Sequence, residues 1–404
     1  MALFTCRAIG PGRNDGSRSN GGDGWFAQAG PLLEIKARLL CCGAKADAGA
    51  RELFRLQNPA GVKRGGLSSG GKMLLDGVLS VNFPVYEKRE TQLAVVSDLA
   101  RERGVLVQED GKTLCVGEVL EAPAWYGKRP GSLNLPRIFT AHNRQLAASV
   151  FEDCSLFATG EQCQFCVMNR SLSEKDSALR VKSGRLLLEA LSMIPADAYD
   201  ALSLNSGMTL EPGRGAELIV QAIEPIRRAY PSLPIAVEVA PPSDLAWIDK
   251  LAESGASSIM MNLEMWDQAA RAKFLPGKDK HCPRKQYLAA FERALKAFGP
   301  GKVSTCFVVG TEPPKSLRTG ITRVVSLGVV PSPLAGRYFE DVPGYPFVPN
   351  ADWRQFLEIL KFAASEMRRF GLRTADRAGC VACGMCDLIK DMTPGLKPSP
   401  RYVD

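Results

Sequence analysis

The chain is poor in histidine. His142 and His281 are the only two among 404 residues, so a Ser-His-Asp triad or a multi-histidine zinc site would have to draw on one of them. Long apolar runs are missing as well: none reaches the roughly 18 residues of a membrane-spanning helix. Residues 1–24 hold no apolar stretch long enough for a secretory signal, so a cytoplasmic location without membrane partners is expected. No block of like charge stands out. The 51 basic and 43 acidic residues leave a net charge of +8 spread along the chain, which gives no reason to expect nucleic acid and favours anionic ligands only slightly.

What the chain has in quantity is cysteine. Twelve cysteines in a reducing compartment are not a disulfide framework. Six are scattered: Cys6, Cys41, Cys42, Cys115, Cys282 and Cys306. The other six form two tight groups, Cys154, Cys163, Cys166 and Cys380, Cys383, Cys386. Grouped thiols of this kind bind soft metal.

Residues 1–30 are rich in glycine and short of large apolar side chains, and a mobile tail is expected there. Residues 31–142 alternate short apolar runs with Gly/Pro turns and read as a small α+β domain. From about Gln145 the rhythm becomes strand, loop, helix. Strand-like runs fall at 146–151, 201–205, 235–240, 258–263, 303–309 and 328–330, with helical patterns at 183–194, 216–230, 243–255 and 284–299. That alternation implies parallel strands with right-handed crossovers, and six units fit either a six-unit open barrel or a doubly wound sheet over 143–349. Residues 350–404 begin with a helix at 350–371, capped by Asn350 and Gly371 and carrying a core stripe from Trp353 to Met367. They end in the second cysteine group.

Cys154, Cys163 and Cys166 follow the first strand of the array, where the active sites of parallel α/β folds lie. Three thiolates hold three irons of a cubane and leave the fourth open for an exogenous ligand. A half-site of zinc, a cluster used only for electron transfer, and structural thiols are the other readings of this loop. Strand parity puts Ser258, Met260, Asn262 and Glu264 on one face and Ile259, Met261 and Leu263 on the other. Glu238 sits on an inward face with Ala236 and Ala240. Buried acids there need a ligand or partners, and a salt bridge or polar plug is the structural alternative.

The loop ends in CQFC (163–166), with Phe165 as the aromatic before the last cysteine. It resembles the radical S-adenosylmethionine (SAM) superfamily, whose first gap is usually three residues where this chain has eight. The resemblance implies a partial (βα)6 TIM-like barrel and a 4Fe–4S cluster that binds SAM. It also implies an enzyme that cleaves SAM reductively and takes hydrogen from a small-molecule substrate, with an electron donor such as flavodoxin or ferredoxin. It further implies that Asn205, Ser206, Gly207 and Met208 meet the methionyl amine. Glu264 would contact ribose or amine, 308–312 with Val309 and Gly310 would pass the adenine, and Glu238 would face SAM or substrate. The pieces LNSGM (204–208), PPSDLAW (241–247), MNLE (261–264), LPGK (275–278) and AGCVACGMC (378–386) are similar to the branch found with bacterial nitrilase gene clusters.

Cys380, Cys383 and Cys386 form a Cys-x-x-Cys-x-x-Cys run that favours a second iron–sulfur cluster near the barrel mouth. A fourth ligand is absent locally; Cys282, Cys306, an N-terminal cysteine, sulfide or substrate could supply it. A zinc knuckle completed by His281 is the alternative. The 31–142 domain and the loop 331–346 are candidate lids, with Arg337 either a carboxylate or phosphate clamp or a solvated surface residue. For the whole chain, an iron–sulfur carrier or scaffold and a zinc-bound interaction module are the rivals to an enzyme.

Overall fold

Two seven-stranded sheets carry the chain. The structure, a computed structural model, describes residues 21–59, 70–129, 134–168, 179–342, 344–347, 352–374 and 378–393, with the backbone alone for 21–29. Helix α1 (Gly21–Cys42) runs back through 21–30, where the glycine content points to a mobile tail; residues 1–20 lie outside the described residues. Leu33, Ala37, Leu39 and Leu40 are buried along it, and that packing outweighs the local cost of glycine.

The first sheet contains β1 (Ala44–Ala46), β2 (Gly71–Leu75), β3 (Leu79–Phe83), β4 (Val85–Tyr86), β5 (Leu93–Ser97), β6 (Gly104–Glu109) and β7 (Lys112–Val119), in the order β3-β2-β7-β6-β5-β1-β4. Alternate residues such as Met73, Leu75, Val81, Val105 and Val107 are fully buried, as a one-sided sheet requires. Helix α2 (Ala48–Leu56) starts at Asp47, whose carboxylate accepts the Ala50 N–H at 2.7 Å.

The second sheet opens with β8 (Thr140–His142), paired antiparallel to β9 (Gln145–Phe151). It continues in strictly sequential parallel order through β10 (Ala201–Ser206), β11 (Ile235–Glu238), β12 (Ser258–Met260), β13 (Val303–Val309) and β14 (Val330–Ala335). Short helices α3 (Leu135–Ile138) and α4 (Ser155–Ala158) flank β8 and β9. The outer layer and connections are α5 (Gly184–Ser192), α6 (Ala216–Ala229), α7 (Ala246–Glu253), α8 (Gln268–Phe274), α9 (Pro276–His281), α10 (Arg284–Phe298) and α11 (Pro314–Leu327). This is the mixed α/β architecture with a curled, partial barrel. Strand β14 begins where the sequence pattern places its end, and it runs through Pro331 and Pro333. A proline-bearing strand fits only at an edge, and β14 pairs with β13 alone.

Helix α12 (Trp353–Phe370) is capped by Asp352, which accepts the Arg354 N–H at 3.1 Å. Asn350, the cap expected from sequence, lies outside the described residues. Phe356, Leu360, Ala364 and Met367 are buried, and Gly371 closes the helix at φ 65°. The tail then carries α13 (Cys380–Cys383) and α14 (Ile389–Met392).

The tail does not sit at the barrel mouth. It starts against the amino ends of the central strands β10 and β11, where Ala378 packs with Ala201 and Ala236, and runs on into the seam between the β8–β9 hairpin and β14. On one side the Gln145 side chain accepts the Gly379 N–H at 2.8 Å, and Asn143 donates to the Cys383 carbonyl at 3.1 Å. On the other, the Ser332 hydroxyl of β14 donates to Asp387 at 2.5 Å. The first sheet and α1 hold it from outside: the Asn82 N–H of β3 donates to Met385 O at 3.0 Å, and Lys36 of α1 donates to Gly384 O at 2.7 Å. Among the described residues, no helix is long and apolar enough to cross a membrane.

Candidate active site in the barrel lumen

The eight residues between Cys154 and Cys163 are not slack. Ser155–Ala158 make one helical turn, with Ser155 N–H donating to Met208 O at 2.9 Å, and the Gly277 N–H donates to Glu161 O at 3.0 Å. The CQFC turn closes with Cys166 N–H on Cys163 O at 3.0 Å. The Gln164 N–H and side-chain amide reach Phe274 O and Lys273 O at 2.9 and 2.7 Å. Tyr345 donates its hydroxyl to Phe165 O at 2.9 Å, while the Phe165 ring stands edge-on to Phe347 at 5.7 Å. The widened gap is thus built from a helical turn and anchors on β10, α8 and α9.

Gly207 has a different role from the one its flexibility suggests. A Cβ at this position would stand 1.6 Å from the carbonyl oxygen of Asp153, directly before Cys154, so the glycine lets two strand ends meet rather than admitting a ligand. Gly207→Ala is expected to displace the cysteine loop. Lower iron retention and a thermal midpoint several degrees below wild type would be the readout.

Cys154, Cys163 and Cys166 border one cavity of about 430 Å³ that fills the barrel. Burial pushes the Cys163 thiol well above its ordinary value, Glu264 adding to it, and pushes Cys166 up to about 11. A metal bound here would take the place of the thiol protons. Among the described residues no three His, Cys, Asp or Glu converge as a single ion requires. A cubane places one thiolate on each iron, farther apart than the ligands of one ion, and the three thiols of one buried loop fit that donor set.

Of the other residues expected here, Phe165, Asn205, Ser206, Met208, Glu238 and Glu264 line the same cavity. Strand β13 turns Cys306 and Val308 inward. Val309 packs in the helix-covered core instead, and neither it nor Gly310 borders the cavity. Glu312 accepts the N–H groups of Trp266 and Asp267 at 2.8 and 2.7 Å, so it fixes the loop after β12.

Glu264 stands in the left-handed region at φ 68°, held by its N–H on Cys306 O at 2.9 Å and its carbonyl under Val308 N–H at 2.8 Å. Strain of this kind in a buried acid persists where the surroundings over-determine it. One carboxylate oxygen accepts from Lys278 at 2.8 Å; the other, Oε2, is buried with no hydrogen-bond partner, as is Asn205 Oδ1. Burial pulls the Lys278 ammonium down, but Glu264 outweighs it and holds it well above the usual lysine range. Two orphaned acceptors facing one cavity call for a donor from a ligand. Lys278 is the residue the sequence reading did not assign. It lies in the LPGK stretch, yet nothing local says that α9 turns it onto Glu264.

Farther along the lumen, Asn262 donates to Glu238 Oε1 at 2.5 Å and accepts the Cys306 N–H at 3.3 Å. Burial raises the Glu238 carboxyl above the ordinary range. Cys380, Cys383 and Cys386 border the cavity from the seam. Arg337 is neither a surface residue nor a free clamp; it is buried and donates to the carbonyl and side chain of Asn82. His281 lies by Glu161, 3.6 Å from its carboxylate, on the side of the first cysteine loop, and so does not complete the tail group.

A curled parallel α/β barrel with two cysteine groups facing one lumen is the class that fold and site define. No protein-family model matches the chain. It is 25% identical over 347 residues to the bacteriochlorophyllide c C-7(1)-hydroxylase of Chlorobaculum limnaeum, covering 80% of this chain and 81% of that one. Solved structures overlap it in part. The FeFe-hydrogenase maturase HydG from Carboxydothermus hydrogenoformans matches 63% of this chain and 57% of its own at TM-score 0.45 and 14% identity. Methylornithine synthase (PylB) matches 63% and 83% at TM-score 0.42 and 15% identity. With a curated enzyme matched across four fifths of both sequences, the chain is an enzyme.

Proposed function

We propose that the chain is a radical SAM enzyme acting on a small-molecule substrate, and that its motifs place it with the branch found beside bacterial nitrilase gene clusters. The observation that carries the reading is the set of three thiols, Cys154, Cys163 and Cys166, facing the orphaned oxygens of Glu264 and Asn205 across one lumen. In this reading the thiolates hold a 4Fe–4S cluster, which supplies the electron that cleaves SAM to methionine and a 5′-deoxyadenosyl radical able to take hydrogen from the substrate. Asn205, Met208 and Glu264 bind and orient SAM, and Glu264, fixed by Lys278, takes a donor group of SAM on Oε2. Phe165 and the Phe347 and Tyr345 side chains packed near it exclude water from the cysteine loop. The tail cysteines hold a second iron–sulfur cluster, and electrons come from a flavodoxin- or ferredoxin-like donor.

Anaerobically reconstituted protein given dithionite and SAM is expected to release 5′-deoxyadenosine, measured by liquid chromatography with mass detection. Protein with a full complement of iron that releases none would leave the carrier or scaffold reading in its place.

A further inference from the structure

We propose that Glu238 supplies the fourth protein ligand of the cluster held by Cys380, Cys383 and Cys386, so that the tail cluster is anchored to β11. The inference rests on the proposed reading of the tail as an iron–sulfur site.

The placement comes from the seam. Gly379 lies on Ala236, where an added Cβ would come within 3.0 Å of the alanine methyl. Ala236 and Glu238 are two apart on β11 and share its inward face, so Cys380 follows directly over the side where Glu238 projects. A second, smaller cavity is bordered by both Glu238 and Cys380, and the two also border the main lumen.

Asp387 and Cys282 are engaged elsewhere. Asp387 takes the Ser332 hydroxyl on one oxygen and the Ile389 N–H on the other. Cys282 lies 3.9 Å from Met208 Sδ and 3.6 Å from Pro241 O. His142, whose carbonyl lies 3.8 Å from Cys383 Sγ, borders the lumen and is the competing ligand. Among the described residues, Glu238 receives its hydrogen bond on Oε1, from Asn262, which leaves Oε2 for a metal.

The test uses the full-length chain with Cys163→Ala, which removes the first cluster and leaves the tail to be read alone by iron and sulfide analysis and by electron paramagnetic resonance. Glu238→Gln keeps shape and is expected to lose about one iron in four and to show a three-iron signal; Glu238→Cys is expected to restore the four-iron cluster. Circular dichroism confirms that each variant is folded. Full iron and an unchanged signal in both Glu238→Gln and Glu238→Ala would overturn the assignment, as would the same iron loss from His142→Ala in place of Glu238→Gln. A tail that binds zinc, or no metal, in the Cys163→Ala parent would overturn the iron–sulfur reading beneath it, a result separate from the others.

Discussion

Cys163→Ala is expected to remove about four irons per chain from reconstituted protein and to take 5′-deoxyadenosine release below detection. Each thiolate of a site-differentiated cubane holds one iron, and this loop has no spare donor: Cys154 and Cys166 are its remaining sulfurs, and His281 is turned toward Glu161. The loss should be all-or-none because two thiolates do not retain a cubane in a lumen that also binds its exogenous ligand. The fold should survive. Cys163 packs in a small satellite cluster with Met265, Ala270 and Leu275 rather than in the main core, so its truncation costs about 1 kcal/mol, visible as a small shift in the urea midpoint. A variant that keeps all its iron and still releases 5′-deoxyadenosine would take the first cluster away from this loop.

The second large effect is expected on stability. Lys278→Met should cost about 3–5 kcal/mol in urea unfolding of the iron-free protein, because it strands the Glu264 carboxylate in a site where the two side chains are only 15% and 8% exposed. The double variant Lys278→Met, Glu264→Gln should regain most of that loss, since an uncharged amide no longer needs the ammonium. A coupling below about 1 kcal/mol would mean that the pair behaves as a solvated surface bridge. In iron-loaded protein, the single variant should also weaken SAM binding.

Much of the barrel is legible from residue order. Apolar runs near 146–151, 201–205 and 303–309 become strands within a residue or two, because buried parallel strands must be apolar on both faces. Met260 and Asn262 face the lumen as the period of two predicts. Four things escape the sequence for physical reasons. Strand β14 is masked by Pro331 and Pro333, which only an edge position tolerates. Helix α1 reaches into the glycine-rich start because its packing partners lie in strands far along the chain. The Glu264–Lys278 pair joins a strand end to a helix 14 residues later, and the left-handed turn at Glu264 that aims the acid has no marker in its residue type. The position of the tail cysteines was likewise unreadable, since a seam exists only once the sheet has curled.

That seam carries a consequence for assembly order. The segment that seals the lumen is synthesised after every strand it touches. No β-ladder holds it among the described residues; it is held by hydrogen bonds with Asn143, Gln145, Ser332, Asn82 and Lys36 and by the burial of Val381, Met385, Leu388, Ile389 and Met392. Until that segment docks, iron and sulfide could reach the lumen from the flank. Ligation by the tail thiols would then act as a latch, because metal binding adds its own free energy to that of burial. Iron supply during growth would set how many molecules leave the ribosome with a closed barrel and how many remain ajar.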